Sequence, residues 1–447
     1  SEPSALTLAA LDAALAPLGE AATKSTNRVM MELISSGVPT QMLWVSTIAE
    51  VVLKPFGLDS LDAYMAGSAA DVERIVSRNP QLKGRQFLTP KLKRPAVLVM
   101  SGTVEAPDGY EASAASVAPL QMSPDFSGTP FHTKDGTVSY EPTSGTDRPP
   151  LTGVLLGGGF VETFAFGGEE PAEGQSGGNS VQMQAPLTPL SLARAVGISS
   201  AAFGAFASKL AVAGVAAGAR FDPQANLWPI TSGRFPGAHP AMTYQLGDGS
   251  NLDNTGIIAA LQRGASHIVA LINADTPLDS GADLCAPGVD VAGRVTRQLA
   301  EKFGVDGAGG HFGFYGHNQV FDRAALQPLL CDFDRLRSAG KSLVLRRSLT
   351  LQRNDWWGLE GGRVAEVVFV LLAPHRGFEA ALPAETREEL AKEADGAFAN
   401  FPNYRTVFQG SDLTALTRRQ ANLLAAQAEF SINEHASSFR DVLSRAS

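Results

Sequence analysis

An α/β fold is predicted for this 447-residue chain by three features of its sequence. Apolar residues recur at helical spacing through the first ninety positions. Compact apolar runs follow at 96–100, 267–273, 342–351 and 364–372, each bounded by turn residues. Residues 246–250 then lead through a helical stretch, about 254–263, into the run 267–273. That is a turn–helix–strand unit of the α/β type.

In the N-terminal portion, 1–90, helical patterns occupy 6–18, 27–33, 47–53, 59–65 and 69–76. Pro55 and Gly57 stop the third. Asp71 and Glu73 lie in the first turn of the last, where the helix dipole favours negative charge. Residues 96–100 read as a buried strand closed by Ser101 and Gly102. The stretch 102–150, rich in Pro, Gly, Ser and Thr, reads as long surface loops with short strands. Val154, Leu155 and Leu156 run into Gly157, Gly158 and Gly159, and a polar loop follows at 167–178. Pro189 opens a helical stretch reaching about 219. The runs 342–351 and 364–372 are joined by Asn354-Asp355-Trp356-Trp357-Gly358 and by Gly361-Gly362, which predicts a hairpin. Helical patterns at 413–430 and 439–443 complete the order. With no internal repeat, 1–447 reads as one domain: a helical portion 1–90, a segment 95–275 that holds the chemistry, and a hairpin with helices over 276–447.

Thirty-six Lys and Arg against 45 Asp and Glu leave a net charge of −9, without the basic cluster that phosphate backbones require. Nucleic acid is therefore not an expected partner. The 44% hydrophobic content supports a large core and excludes global disorder. Cys285 and Cys331 are too few for a disulfide scaffold or a Cys-rich zinc site, though one bridge fits. His311 and His317 lack the i, i+4 zinc spacing, and the other histidines are scattered. Gly157–Gly159 is not followed by Lys-Ser/Thr, so a P-loop is excluded. No metal or cofactor is expected. The uncharged stretch 195–208, with 210–219 after it, is Ala- and Gly-rich and reads as a buried helix pair rather than a membrane span. The N-terminus lacks the basic start of a signal peptide, and nothing points to a compartment.

Asp248 is the leading candidate for chemistry. It lies between Gly247 and Gly249, after the apolar Leu246 and before a helix. A general base must come within about 2.6–3.2 Å of its nucleophile. Flanking glycines let the backbone turn sharply and carry the carboxylate to the head of a sheet. The competing account is an ordinary Asp-Gly turn with a solvated side chain.

The run from Gly247 to Gly256, followed by 257–264, resembles the Asp-Gly-Gly loop of the patatin and cytosolic phospholipase A2 superfamily, which includes the fungal lysophospholipases. Other segments resemble that superfamily in the same order. Val99-Met100-Ser101-Gly102-Thr103 is similar to its strand ending in Asn-Ser/Ala-Thr, and 120–128 to its Phe-Glu-Phe-Ser-Pro segment. Residues 160–167 resemble its aromatic-to-Phe-Gly passage, and 196–203 its Gly-Thr-Ser-Ser-X-X-Phe helix start. The resemblance covers about 95–275. It implies a three-layer α/β fold of the patatin and phospholipase type, with extra N- and C-terminal helices. It also implies lipid ester hydrolysis by a Ser–Asp dyad: serine attacks the acyl carbonyl, Asp248 is the base, and loop N–H groups, with Gly247 and Gly249 as support, hold the oxyanion. Ser250 stands where the family has its second glycine.

The nucleophile is open. The family's Gly-X-Ser-Gly elbow precedes the strand at 96–100, and residues 1–95 contain none; Ser35, Ser36 and Ser46 lack the preceding glycine. Gly174-Gln175-Ser176-Gly177-Gly178 matches literally but in polar surroundings. Ser199, after Gly197-Ile198, is a second candidate, with Gly157–Gly159 as oxyanion loop; otherwise Ser199 reads as a helix cap. The chain begins Ser1-Glu2-Pro3 without Met, so the nucleophile is expected upstream, in an earlier part of a precursor or a separate N-terminal chain. The expected function is a lipid acyl hydrolase acting at a lipid or membrane surface. The alternative is an inactive, lipid-holding or structural subunit of a larger assembly. Trp356-Trp357 reads as a packed hairpin tip, with an interfacial lipid anchor as the alternative.

Overall fold

The computed structural model describes residues 2–91, 98–130, 137–156, 159–170, 176–177, 180–181, 186–201, 223–229, 241–273, 276–309, 315–404 and 415–444. With 37% helix and 21% strand, the chain is a mixed α/β protein. A single domain is the expectation from sequence; the structure shows two compact units. The Asp248 unit comprises Val29–Asn254 with Asp355–Gly358. The terminal unit comprises Ser1–Arg28, Thr255–Asn354 and Leu359–Ser447. The division at Asn254/Thr255 cuts through the expected turn–helix–strand unit.

In the Asp248 unit, α1 (Thr40–Ile48) runs into a π turn at Ala49–Leu53. It buries every residue from Leu43 to Ile48, as a helix without a polar face must. α2 (Ala69–Arg78) is N-capped by Ser68, whose side chain accepts from the Asp71 N–H. The strands are β1 (Met100–Pro107), β2 (Ala118–Met122), β3 (Phe126–Thr129), β4 (Thr137–Pro142), β5 (Leu151–Leu155) and β6 (Gly159–Glu162). After α3 (Leu192–Ser199) come β7 (Gln224–Leu227) and β8 (Met242–Asp248). One sheet has the order β7-β8-β1-β2-β3-β6, antiparallel at every pairing. A smaller sheet joins Tyr110–Glu111, β4 and β5. α3 packs against β1 and β8, and the Trp44 indole N–H donates to the Gly197 carbonyl at 3.1 Å, tying α1 to α3.

Several sequence expectations change here. Residues 102–150 are not mainly surface loop: Val104, Ala118, Leu120, Met122 and Tyr140 are almost wholly buried in the unit's main core. All five residues of β2 are buried, which erases the alternation that marks a half-exposed strand. Each fully buried Leu contributes on the order of 2 kcal/mol. The expected strand 96–100 begins only at Met100 and continues through Ser101 and Gly102 to Pro107; 92–97 lie outside the described residues. The expected helix 59–65 is instead a turn leading to Tyr64–Met65, paired in parallel with Phe87–Leu88. The helices expected at 27–33, 47–53 and 69–76 are present as Thr26–Ser35, the α1 region and α2.

In the terminal unit, α4 (Ile257–Gln262) leads to β9 (His267–Ile272). α5 (Leu326–Ser338) precedes β10 (Leu343–Thr350) and β11 (Val364–Leu371), and α6 (Arg418–Glu434) and α7 (Ala436–Ser444) follow. The sheet order is β9-β11-β10, with β9 parallel and β10 antiparallel to β11. The expected hairpin is therefore present, in continuous register from Leu343↔Leu371 to Thr350↔Val364. A Thr417/Gln420 capping box starts α6. The N-terminal segment expected as helix 6–18 forms 3-10 turns at Pro3–Ala5 and Ala10–Asp12, then a helix at Pro17–Ala22. Arg419 grips Asp12 with two hydrogen bonds, 2.9 and 2.7 Å. Cys285 and Cys331 form the one bridge that two cysteines allow. Among the described residues no helix is long and apolar enough to cross a membrane.

Glu434, at the end of α6, ties three segments of the terminal unit together. Its Oε2 accepts from the Ser342 hydroxyl at 2.5 Å and the Ser342 N–H at 3.2 Å, and lies 3.2 Å from His375 Nε2. Burial alone would raise its pKa, but Ser342 and His375 together hold it below the usual carboxylate value. A depressed carboxylate stabilises the fold above its unfolded pKa, about 4.3, and that increment disappears as pH falls through the folded value. Glu434→Gln should therefore lower stability at pH 7 by about 1–3 kcal/mol. The difference from wild type should narrow below about pH 4; urea unfolding at pH 7 and pH 3.5 measures both.

Candidate active site around Asp248

Asp248 ends β8, with φ −65° and ψ 136°, and begins the 3-10 turn Gly249–Asn251. It is 5% exposed, so it is not the solvated side chain of an ordinary Asp-Gly turn. Its Oδ1 accepts the Ser250 N–H at 2.7 Å, closing an Asx turn. Ser250 therefore serves the loop through its backbone, and its side chain does not interrupt that bond.

The two flanking glycines act through space rather than through unusual dihedrals. Neither Gly247 nor Gly249 has a positive φ. A Cβ on Gly247 would lie 2.0 Å from Glu105 Oε1 and 2.5 Å from Thr103 Oγ1. One on Gly249 would lie 2.4 Å from the Ser101 carbonyl oxygen. The sharp turn expected from the sequence is thus replaced by close approach of β8 to β1.

The register pairs Asp248 with Gly102 and Gly247 with Thr103. Strand alternation then sorts the neighbours onto two faces. Ser101, Thr103 and Glu105 share the face of Gly247. Glu105 Oε1 receives the Asn251 amide at 3.3 Å and the Thr103 hydroxyl at 3.4 Å. Asp248 lies on the other face with Leu246, Gly102 and Leu120. There a Cβ on Gly102 would come within 3.0 Å of Ile198 Cγ2, so the last turn of α3 covers the strand partner of Asp248. Glu105 and Asn251 were not singled out from sequence. Glu105 falls in the stretch expected to be loop, and only its two-residue offset from Thr103 on a strand would have exposed it.

The expected nucleophiles stand differently. Ser199 is the last residue of α3, not its cap; the cap is Ser191, whose side chain accepts the Arg194 N–H at 3.1 Å. Gly197 and Ile198 therefore close a helix where the motif 196–203 was expected to open one, and 202–222 lie outside the described residues. A helix C-terminus carries negative partial charge, which opposes forming a serine alkoxide. Ser176 begins a two-residue strand, Ser176–Gly177, paired antiparallel with Ser180–Val181. Gly157, Gly158, Gly174, Gln175 and Gly178 lie outside the described residues. Ser35 and Ser36 donate their hydroxyls to the Glu32 carbonyl, each at 2.8 Å.

Two other clusters were tested for chemistry. Ser342, Glu434 and His375 meet in the terminal unit, but His375 Nδ1 accepts the Phe378 N–H at 3.2 Å. Its proton is then on Nε2, facing Glu434. The carboxylate separates serine from imidazole, so histidine cannot take the serine proton as a triad requires. Asp283, Cys285 and Asp334 are grouped closely enough to suggest a metal site, but the Cys285 sulfur is committed to the disulfide. At the expected hairpin tip, Trp357 is buried and stacks edge-on with Trp356 at 4.8 Å.

Gly249→Ala should destabilise the protein by about 1–3 kcal/mol, the usual consequence of overpacking, because the Cβ meets backbone at Ser101. Thermal unfolding of the variant against wild type checks this; an unchanged Tm would show that β8 and β1 are not so tightly apposed. Comparison of the chain with protein-family models, curated proteins and solved structures finds no match.

Proposed function

We propose that the chain is an acyl-ester hydrolase of the patatin and cytosolic phospholipase type, with Asp248 as the base of a Ser–Asp dyad and a lipid ester as substrate. The observation that carries this reading is a carboxylate 5% exposed at the end of a sheet strand, followed by Gly249, where a Cβ would meet the Ser101 backbone. Such a carboxylate is held in one orientation, with Oδ1 bonded to the Ser250 N–H. Removing a base from bulk water strengthens its interaction with a nearby hydroxyl. In this reading the serine hydroxyl gives its proton to Asp248 as oxygen attacks the acyl carbonyl, and the leaving alcohol takes that proton back. Backbone N–H groups stabilise the tetrahedral oxyanion. The serine is supplied from outside the set that the structure places beside Asp248.

A second reading is a lipid-holding subunit without turnover. It is favoured by one observation, the position of Ser199 at the C-terminal end of α3. The two separate in one experiment on the full chain. Asp248→Asn retains an acceptor for the Ser250 N–H and removes the base. If the protein is a hydrolase, a fluorophosphonate probe labels this chain or a partner in the native material, and the variant loses at least about 100-fold in lysophospholipid hydrolysis. Undiminished hydrolysis by the variant would overturn Asp248 as base. Absence of both labelling and hydrolysis in the native wild-type material favours the lipid-holding subunit.

A further inference from the structure

The net charge of −9 conceals one local reversal. Residues 78–94 carry six Lys and Arg and no Asp or Glu. The rest of the chain then holds 30 Lys and Arg (36 − 6) against 45 Asp and Glu, a balance of −15. Four of the six cations lie in the described residues, and all four, Arg78, Lys83, Arg85 and Lys91, are exposed. Among the described residues none of the four forms an ion pair. Cations elsewhere are neutralised: Arg335 and Arg347 by Asp332, Arg337 by Asp334, and Arg346 by Glu366. The backbone that presents the four is anchored. Leu82, 3% exposed, packs in one core with Tyr64 and Ile75, and Phe87 stacks on Tyr64 at 5.3 Å. The Gln86 and Leu88 carbonyls accept the Tyr64 and Ala66 N–H at 2.9 and 3.0 Å.

An apolar surface continues this ridge. Arg74, one turn before Arg78 on α2, donates to Glu162 Oε1 at 2.6 Å. Glu162 ends β6 and pairs with Phe126 of β3, while Phe160 pairs with Gly128. Cross-strand partners share a face, so Phe126 and Phe160 stand on the face that Arg74 reaches. They are 51% and 37% exposed. The acids of α2, Asp71 and Glu73, precede Arg74, and Asp71 is held by Ser68 and Arg74.

We propose that this surface docks a short acidic segment of a partner protein, with its carboxylates against Arg78, Lys83, Arg85 and Lys91 and its apolar side chains against Phe126 and Phe160. Charge complementarity fixes the sign of the partner, and two neighbouring exposed rings call for apolar residues among its acids. The balance of −15 elsewhere limits its length. A nucleic acid or an anionic bilayer extends past the patch onto surface of its own sign, whereas a short segment ends with the patch. The docking surface is independent of Asp248 and of any reaction there.

The test is equilibrium binding to the full chain, read by fluorescence anisotropy. The probe is a labelled peptide of about twelve residues repeating Glu-Glu-Phe, compared with the same peptide carrying Gln for Glu or Ser for Phe. Single-stranded DNA of about twenty nucleotides and vesicles of phosphatidylserine in phosphatidylcholine are the rival polyanions. Saturable one-to-one binding of the Glu-Glu-Phe peptide is expected, about tenfold or more tighter than the Gln peptide and weakening as salt rises. The Ser peptide should bind a few-fold more weakly. Lys83→Glu with Arg85→Glu should weaken the Glu-Glu-Phe peptide about tenfold or more. Arg85→Glu alone should weaken it several-fold, whereas Arg440→Glu, the same change of charge on α7, should leave it unchanged. Phe126→Ser should weaken the Glu-Glu-Phe peptide a few-fold and leave the Ser peptide unchanged. The replaced side chains are exposed, so each variant is expected to unfold at the wild-type temperature. Equal binding of the Glu and Gln peptides overturns the role of the cations. Tighter binding of DNA or of vesicles than of the peptide, lost in the Lys83/Arg85 variant, overturns the acidic segment as partner. No binding of the Glu-Glu-Phe peptide to the folded chain overturns the surface as a docking site.

Discussion

The apposition of β8 and β1 is the constraint on which the candidate site depends. At Gly249 a Cβ would meet the Ser101 backbone, at Gly247 it would displace the Glu105 and Thr103 side chains, and at Gly102 it would press on Ile198 of α3. Backbone so close cannot shift without losing the hydrogen bonds of a central strand pair, and those bonds fix the height of Asp248 relative to Gly102. The carboxylate inherits its burial and its direction from this contact. The bond to the Ser250 N–H holds a position that the strands have already set.

The same contact organises the two faces of the sheet. On one, Leu246, Gly102 and Leu120 lie under α3. On the other, Glu105 gathers Thr103 and Asn251 around a second carboxylate. Two acidic groups near one strand end would repel strongly if they shared a face. Strand alternation separates them, so Asp248 meets an apolar surface and Glu105 a polar one.

Much of this was legible in the sequence, and the remainder was hidden for physical reasons. The hairpin of β10 and β11 was plain because two long, largely apolar runs met an Asp-Trp-Trp-Gly turn. Asp248 stood out because the run from Gly247 to Gly256 resembles a known loop, although an Asp-Gly pair alone is usually an ordinary turn. Its burial was not visible. The roles of the glycines were misassigned, because close approach and positive φ select the same residue. β2 was lost because burial on both faces removes alternation. α5 was overlooked although Leu326, Leu329, Leu330 and Phe333 carry the helical spacing. The division at Asn254 was invisible because a chain crossing between units need not change composition.

That division has a consequence for the order in which the protein is made. Residues 29–254, nearly the whole Asp248 unit, are contiguous and are synthesised before any residue from Thr255 onward. The terminal unit combines residues 1–28 with segments that begin at Thr255 and end at Ser447. Arg419, which grips Asp12, is synthesised 407 residues after its partner. At roughly 5–20 residues per second, the 165 residues from Thr255 to Arg419 (419 − 254) take about 8–33 s to be made. Throughout that interval the N-terminal segment lacks its α6 partner, while the β8–β1 contact already has both its strands.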